Sequence, residues 1–208
     1  MIFQRRQKSK GATVYVAVTV VVVLLLTFWG ISVFYRINKI TVSGVGRYAE
    51  DEIIAASGIR QGGNALFLDE AGAEQKIQSA MPFIGEVVID VVLPDGVQIS
   101  VFETSAFASI VIRDEVLVID STGKILDISD SMPPGLIEIR GFVPSNPTVG
   151  SALSVSPGEN TRLRYLIETL SAIKAEGIQG DISFVDMTNI AHITFYYRDR
   201  FTVVLFTG

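Results

Sequence analysis

One apolar run stands apart from everything that follows it. Residues 12–35 read ATVYVAVTVVVVLLLTFWGISVFY, 24 positions without a charge. As a helix rising about 1.5 Å per residue the run is about 36 Å long, against roughly 30 Å of bilayer hydrocarbon. The pattern predicts a transmembrane helix over 12–35 with some tilt. A cleaved leader fits less well. The run is too long for the apolar part of a signal peptide, and Ser32-Val33-Phe34-Tyr35 lacks a small-x-small cleavage pattern. Trp29 and Tyr35 fall toward the outer end, where amphipathic rings prefer the membrane interface.

Beyond the run the periodicity shortens. Residues 37–42 read as a strand closed by Ser43-Gly44. Residues 50–57 read as a short helix, with three acids in its first turn and Gly58 suited to a left-handed cap. A second helix is expected over 69–81. Asp69 caps it, Ala73, Ile77 and Ala80 form its apolar stripe, and Pro82 stops it. Two strands follow, 87–93 and 97–103, around a Pro94-Asp95-Gly96 turn in which Gly96 is expected to take a positive φ. The order is β-α-α-β-β over residues 36–105. Residues 106–208 change texture. Strands are expected at 107–112, 116–120, 125–128 and 136–139, then a proline-bearing loop over 142–157. A helix follows over 160–176 with Leu163, Leu166, Ile167, Leu170 and Ile173 on one face, and strands close the chain at 182–186, 190–197 and 201–206. The fold class is α+β: a membrane helix, a small α/β domain, and a mostly antiparallel β domain with one packed helix.

Charge sets the topology. The first ten residues hold Arg5, Arg6, Lys8 and Lys10 and no acid, whereas all 22 acidic residues lie after residue 49. A basic tail over 1–11 is expected in the cytoplasm, which puts the 173 residues after Tyr35 outside. That outer part has 13 basic against 22 acidic residues, the wrong sign for nucleic acid. With no Cys and one His, thiol chemistry and Cys-ligated zinc are excluded, and neither a metal nor a cofactor is expected.

Several short patterns suggest chemistry and are better explained as structure. Ser131-Met132-Pro133-Pro134 resembles the nucleophile box of type I signal peptidases. That reaction needs an unprotonated Lys beside the Ser. The one Lys downstream, Lys174, sits on a helix near Glu168 and Glu176, so a Pro-rich loop is the better reading. His192 has no companions suited to a metal beyond Asp181 and Asp186. The glycines at 58, 62 and 63 follow a helix and lack the Lys-Ser/Thr ending of a phosphate loop. Asp114-Glu115 and the acids of 127–130 lack EF-hand spacing. Arg198-Asp199-Arg200 lies between Phe195-Tyr196-Tyr197 and an apolar strand. It reads equally as a hairpin tip between core strands or as a docking edge anchored by aromatic and Arg side chains.

The anchor is followed by ITVSG at 40–44, EIIAASGI at 52–59 and GGNALFLD at 62–69, then by PFI at 82–84, LPDGV at 93–97, VFE at 101–103 and VIDSTGKIL at 118–126. In this order and spacing the chain resembles the FtsQ/DivIB family of bacterial division proteins. The resemblance implies a POTRA domain over about 36–105 and a β domain over 106–208, both outside the membrane. It implies a non-enzymatic scaffold that holds other bitopic proteins, of FtsL and DivIC/FtsB kinds, at the division septum, with no small-molecule substrate. It also favours the docking reading, which assigns partner contacts to Phe195, Tyr196, Tyr197, Arg198, Arg200, Phe201 and Val203. Of the two tyrosines Tyr197, next to the tip, is expected to be the anchor. The rival functions are an anchored serine hydrolase of signal-peptidase type and a POTRA chaperone that handles unfolded chains. The chain departs from the family pattern at Ala49, where a capping Ser or Thr is common, at an expected cost of about 1 kcal/mol. It departs again at Thr104-Ser105-Ala106, where a basic residue and a Pro are usual. It ends sooner after its last strand than the family does, so a truncated C-terminal end is expected.

Overall fold

The computed structural model describes residues 10–44, 46–198 and 200–206. The expected cytoplasmic tail lies outside the described residues except at positions 10 and 11, and the chain end at 207–208 lies outside them too. Helix α1 is Lys10–Phe34. Its Val-rich sequence is a poor helix former in water, but hydrocarbon forces a chain to satisfy its backbone polar groups internally. Thr19 and Thr27 each donate a hydroxyl to the carbonyl four residues back at 2.8 Å, which satisfies these two donors on an apolar surface. No residue of the span Val14–Phe34 is fully buried against the rest of the chain. An apolar helix exposed on every side fits lipid rather than water.

The first domain pairs β1 (Lys39–Ser43), β2 (Ile84–Val92) and β3 (Gly96–Glu103) in the order β1-β3-β2. β1 runs parallel to β3, and β2 runs antiparallel to it. Helices α2 (Glu50–Ser57) and α3 (Glu70–Ala80) cover one face. Ile53, Ala73 and Ile77 pack on Ile84, Val87, Ile89, Val97, Ile99 and Val101, all buried. Ala80 is exposed and Met81 takes the expected buried place at the end of α3. Ala49 supplies no side-chain cap, but Glu52 reaches back to accept the Ala49 amide at 3.0 Å, which restores half of a capping box. Gly58 closes α2 at φ 72° as expected. Gly96 does not need a positive φ: it opens β3 and sits where a side chain would crowd the Val92 carbonyl.

The second domain is a seven-stranded sheet in the order β10-β9-β8-β7-β4-β5-β6. Its strands are β4 (Ala108–Ile112), β5 (Glu115–Ile119), β6 (Ile125–Ser129), β7 (Ile137–Arg140), β8 (Ile182–Asp186), β9 (His192–Tyr197) and β10 (Phe201–Phe206). Four neighbouring pairs are antiparallel, and β4·β7 and β7·β8 are parallel. Helix α4 (Asn160–Glu176) is the crossover that makes the second parallel pairing possible. Its Leu166, Leu170 and Ile173 are buried against Ile110, Leu117, Ile119, Ile137 and Ile139. The loop over 142–157 is held down at two points. Phe142 and Leu153 enter the core, and residues 150–153 exchange backbone hydrogen bonds with Gly123 and Ile125 beside β6.

A buried polar joint links the domains. Asp120, 1% exposed, accepts from the Thr104 hydroxyl at 3.0 Å, the Thr122 amide and hydroxyl at 2.8 and 2.7 Å, and the Lys124 amide at 2.9 Å. Lys124 Nζ donates to the Ile84 carbonyl at 2.6 Å and reaches the Met81 carbonyl at 3.5 Å. The β domain thereby reaches backbone carbonyls of the first domain where α3 ends and β2 begins. Gly150, at φ 85°, lies against the Ser79 carbonyl, where a Cβ would collide.

Burial pushes the Lys124 ammonium below its ordinary value of 10.5, and neighbouring Asp120 opposes that shift. Between the folded pKa and 10.5 the folded chain therefore binds fewer protons than the unfolded one, so Lys124 contributes more stability as pH rises. The wild type should gain stability relative to Lys124→Met as pH climbs toward that value. Denaturant unfolding of both proteins over an alkaline pH series reads this, and a pH-independent difference would contradict it.

Candidate functional site

The hairpin of β9 and β10 forms one end of the large sheet, and among the described residues β10 has a neighbour on one side only. Its register pairs Phe201 with Tyr197, Thr202 with Tyr196, Val203 with Phe195 and Val204 with Thr194. Side chains alternate across a strand, so the seven expected contact residues divide between two faces.

Phe195 and Tyr197 pack against the helix-covered core together with buried Ile193. The Tyr197 hydroxyl lies 3.4 Å from Asp181 Oδ2. Tyr197, the expected anchor, is thus committed to the inside, because position 197 shares parity with Ile193. Tyr196 faces the other way. Its ring stacks on Phe184 with centroids 5.6 Å apart, and the Arg140 guanidinium lies 4.0 Å over the Phe184 ring. A cation–aromatic–aromatic row thus crosses β7, β8 and β9 on the outer face and meets β10 at Thr202. Glu138 accepts a hydrogen bond from Arg140 and raises its pKa. Thr188, through its hydroxyl and its amide, holds the Asp186 carboxyl below the usual range. Arg140 is therefore a fixed positive charge within this row and Asp186 a fixed negative one beside it.

Arg198, at the start of the tip, is held in place by one acidic residue. Arg198 has φ 52°, which a non-glycine residue adopts only when held. Its amide donates to the Asp181 carbonyl at 2.6 Å, and its Nε and Nη2 reach Asp181 Oδ1 and Oδ2 at 3.1 and 3.3 Å. Arg198, one of the expected partner contacts, is engaged within the chain. Asp199 lies outside the described residues. Arg200 closes the turn through its amide to the Tyr197 carbonyl.

β10 itself is apolar on both faces and poorly covered. Phe201 is 59% exposed and Leu205 41%, on the face they share with Tyr197 and Ile193, while Val204 is 40% and Phe206 76% exposed on the outer face. Phe206 meets the His192 ring edge-on at 5.0 Å, which occupies His192 with an aromatic neighbour. Val204 and Phe206 lie outside the sequence-based contact set. Their alternation with Thr202 is legible in the sequence, but their exposure depends on which strand ends the sheet.

Elsewhere, Lys174 donates to the Ser121 hydroxyl at 3.0 Å, so Ser121 rather than Ser131 is its partner. Ser131 lies exposed, its carbonyl accepting from the Ser129 hydroxyl. Among the described residues no three His, Asp or Glu side chains gather as a metal site.

Residues 35–104 match the model of the POTRA domain, FtsQ-type. The chain is 28% identical over 173 residues to the cell division protein FtsQ of Corynebacterium glutamicum, covering 83% of this chain and 71% of that one. It is 26% identical over 172 residues to the cell division protein DivIB of Clostridium acetobutylicum, covering 82% and 67%. The major extracytoplasmic domain of DivIB from Geobacillus stearothermophilus aligns over 50% of this chain and 80% of that one, at 12% identity and a TM-score of 0.33.

Proposed function

We infer that this chain, a relative of the FtsQ/DivIB division proteins with a POTRA domain of FtsQ type, is a membrane-anchored cell-division protein. Its working surface is the open edge of β10. Among the described residues this strand is apolar on both faces and unpaired along one side, which makes it a template for an incoming strand; sheets that must stay monomeric blunt such edges with charge or proline. β10 carries neither. The occupant is a segment of another bitopic division protein, of FtsL or DivIC/FtsB type, which adds to the sheet. Backbone hydrogen bonds supply affinity and the exposed Phe201, Val204 and Phe206 supply specificity. The N-terminus is cytoplasmic, both outer domains lie beyond the membrane at the septum, and α1 holds the partners in one plane, which raises their effective concentration. This work needs no catalysis.

The two tyrosines test the reading because they separate fold from docking. Tyr196→Ala should leave the thermal transition nearly unchanged and weaken the partner by about 2 kcal/mol, roughly 30-fold. Tyr197→Ala should instead lose about 1–2 kcal/mol of stability, through lost core packing. Melts are paired with co-isolation of partners from dividing cells. Equal unfolding by both variants, or normal binding by both, would sink the docking edge.

A further inference from the structure

We propose that the turn carrying Leu66 and Phe67 is a membrane wedge, seated in the interfacial layer of the bilayer that α1 crosses. The inference rests on the anchored reading above and goes beyond it. The turn is a single 3-10 stretch, Ala65–Phe67, capped by Asn64, whose Oδ1 accepts the Leu66 amide at 2.9 Å. It is tied to the membrane exit. The Ile37 amide donates to the Gly63 carbonyl and the Gly62 amide to the Ile37 carbonyl, at 2.8 and 2.7 Å. Arg36 and Asn64 form an antiparallel bridge, and the Ala65 amide donates to the Tyr35 carbonyl at 2.8 Å. The pairing is antiparallel, so each step from Gly62 to Ala65 leads back along the exit segment toward the helix. The Asn64 side chain already reaches the carbonyl of Ser32, inside the helix, at 3.4 Å. Leu66 and Phe67 follow Ala65 directly, in the turn that this pairing leads into.

Both are exposed, Leu66 by 47% and Phe67 by 73%, although neighbouring Ala65 is buried. Two adjacent large apolar side chains on a hydrogen-bonded turn have no partner in water that favours them. At the interface they have one, since aromatic and aliphatic groups there exchange water for acyl chain. The surroundings match the depth: Trp29 and Tyr35 belong to the interfacial aromatic class, and Arg36, Lys39 and Arg60 are exposed around the exit, where they meet lipid phosphates. Of the two acids that follow, Asp69 is engaged in capping α3 through the Gly72 amide, and Glu70 is exposed one residue further on. A wedge here fixes the tilt of the POTRA domain on the membrane, because the same turn lines up with β1 through Ile37.

The test uses the full chain reconstituted in bilayers. Trp29 is the single tryptophan. The wild type therefore reports the anchor, and a Trp29→Phe/Phe67→Trp variant reports the turn. Each is measured in phosphatidylcholine and in mixed phosphatidylcholine–phosphatidylglycerol bilayers, with and without bromine on the acyl chains near the glycerol. The proposal expects the turn variant's indole emission to shift to shorter wavelength, with a loss of intensity in brominated lipid. Loss in both lipids marks an apolar wedge, and loss in the anionic mixture alone marks one recruited by Arg36, Lys39 and Arg60; either supports it. If Trp29 is quenched in the wild type and the turn variant emits as in water without loss, the wedge is wrong while the anchor stands, and Leu66 and Phe67 face a protein instead. If Trp29 is not quenched, anchor and wedge fall together. A Trp29→Phe/Val143→Trp variant, whose indole is also exposed but in the β domain, should show no loss.

Discussion

Asp120→Ala is expected to cost about 3–5 kcal/mol of stability, because it strands buried partners rather than one contact. The Thr104 hydroxyl, the Thr122 amide and hydroxyl and the Lys124 amide all lose their acceptor within a site that is almost closed to water. The Lys124 ammonium also loses the charge that opposes its desolvation. Asp120→Asn should be far milder, at about 1 kcal/mol, since the amide oxygen still accepts from the two backbone amides and the Thr104 hydroxyl can turn to accept. Chemical denaturation of the full chain in detergent separates the two. Equal losses for Ala and Asn would mean that the charge, not the acceptor geometry, holds the joint.

The second large effect is on binding. Val204→Asp places a carboxylate in the middle of the open strand, on the same face as Tyr196 and Phe206. An incoming strand would have to cover that charge without a partner for it, as in the inward charges that natural edges use against unwanted pairing. The account expects loss of about 2–3 kcal/mol of partner affinity, on the order of 100-fold. The fold should change by about 1 kcal/mol or less, because Val204 is already 40% exposed. Titration of the purified variant with a partner's extracytoplasmic segment reads the first number and a melt reads the second.

What the sequence revealed and what it hid follow a physical division. Elements set by local periodicity and caps were legible: α4 spans Asn160–Glu176 as its apolar spacing required, and Asp69 caps α3 as a short acceptor before a helix should. The 3-10 turn at Ala65–Phe67 was missed, although Asn64 bonding two residues ahead is a local signal of the same kind. Long-range facts were not legible. The Asp-Ser-Thr-Gly run at 120–123 reads as a surface turn, and its contacts with Thr104, Met81 and Ile84 of the other domain are long-range facts that it does not display. Alternation placed Tyr196 and Tyr197 on opposite faces but could not say which face α4 covers. Likewise Phe201–Phe206 reads as a core strand by composition, and its place at the sheet end is a property of strand order alone.

That strand order carries the central claim, that β10 is where a second division protein joins the sheet. The most direct measurement is site-specific photocrosslinking in dividing cells, with the reactive residue at Val204 on β10 and, separately, at Asp127 on β6 at the opposite end of the sheet. The account predicts a discrete adduct with a small single-span division protein from position 204 and none from 127. No adduct at 204, or the same adduct from both positions, would contradict it.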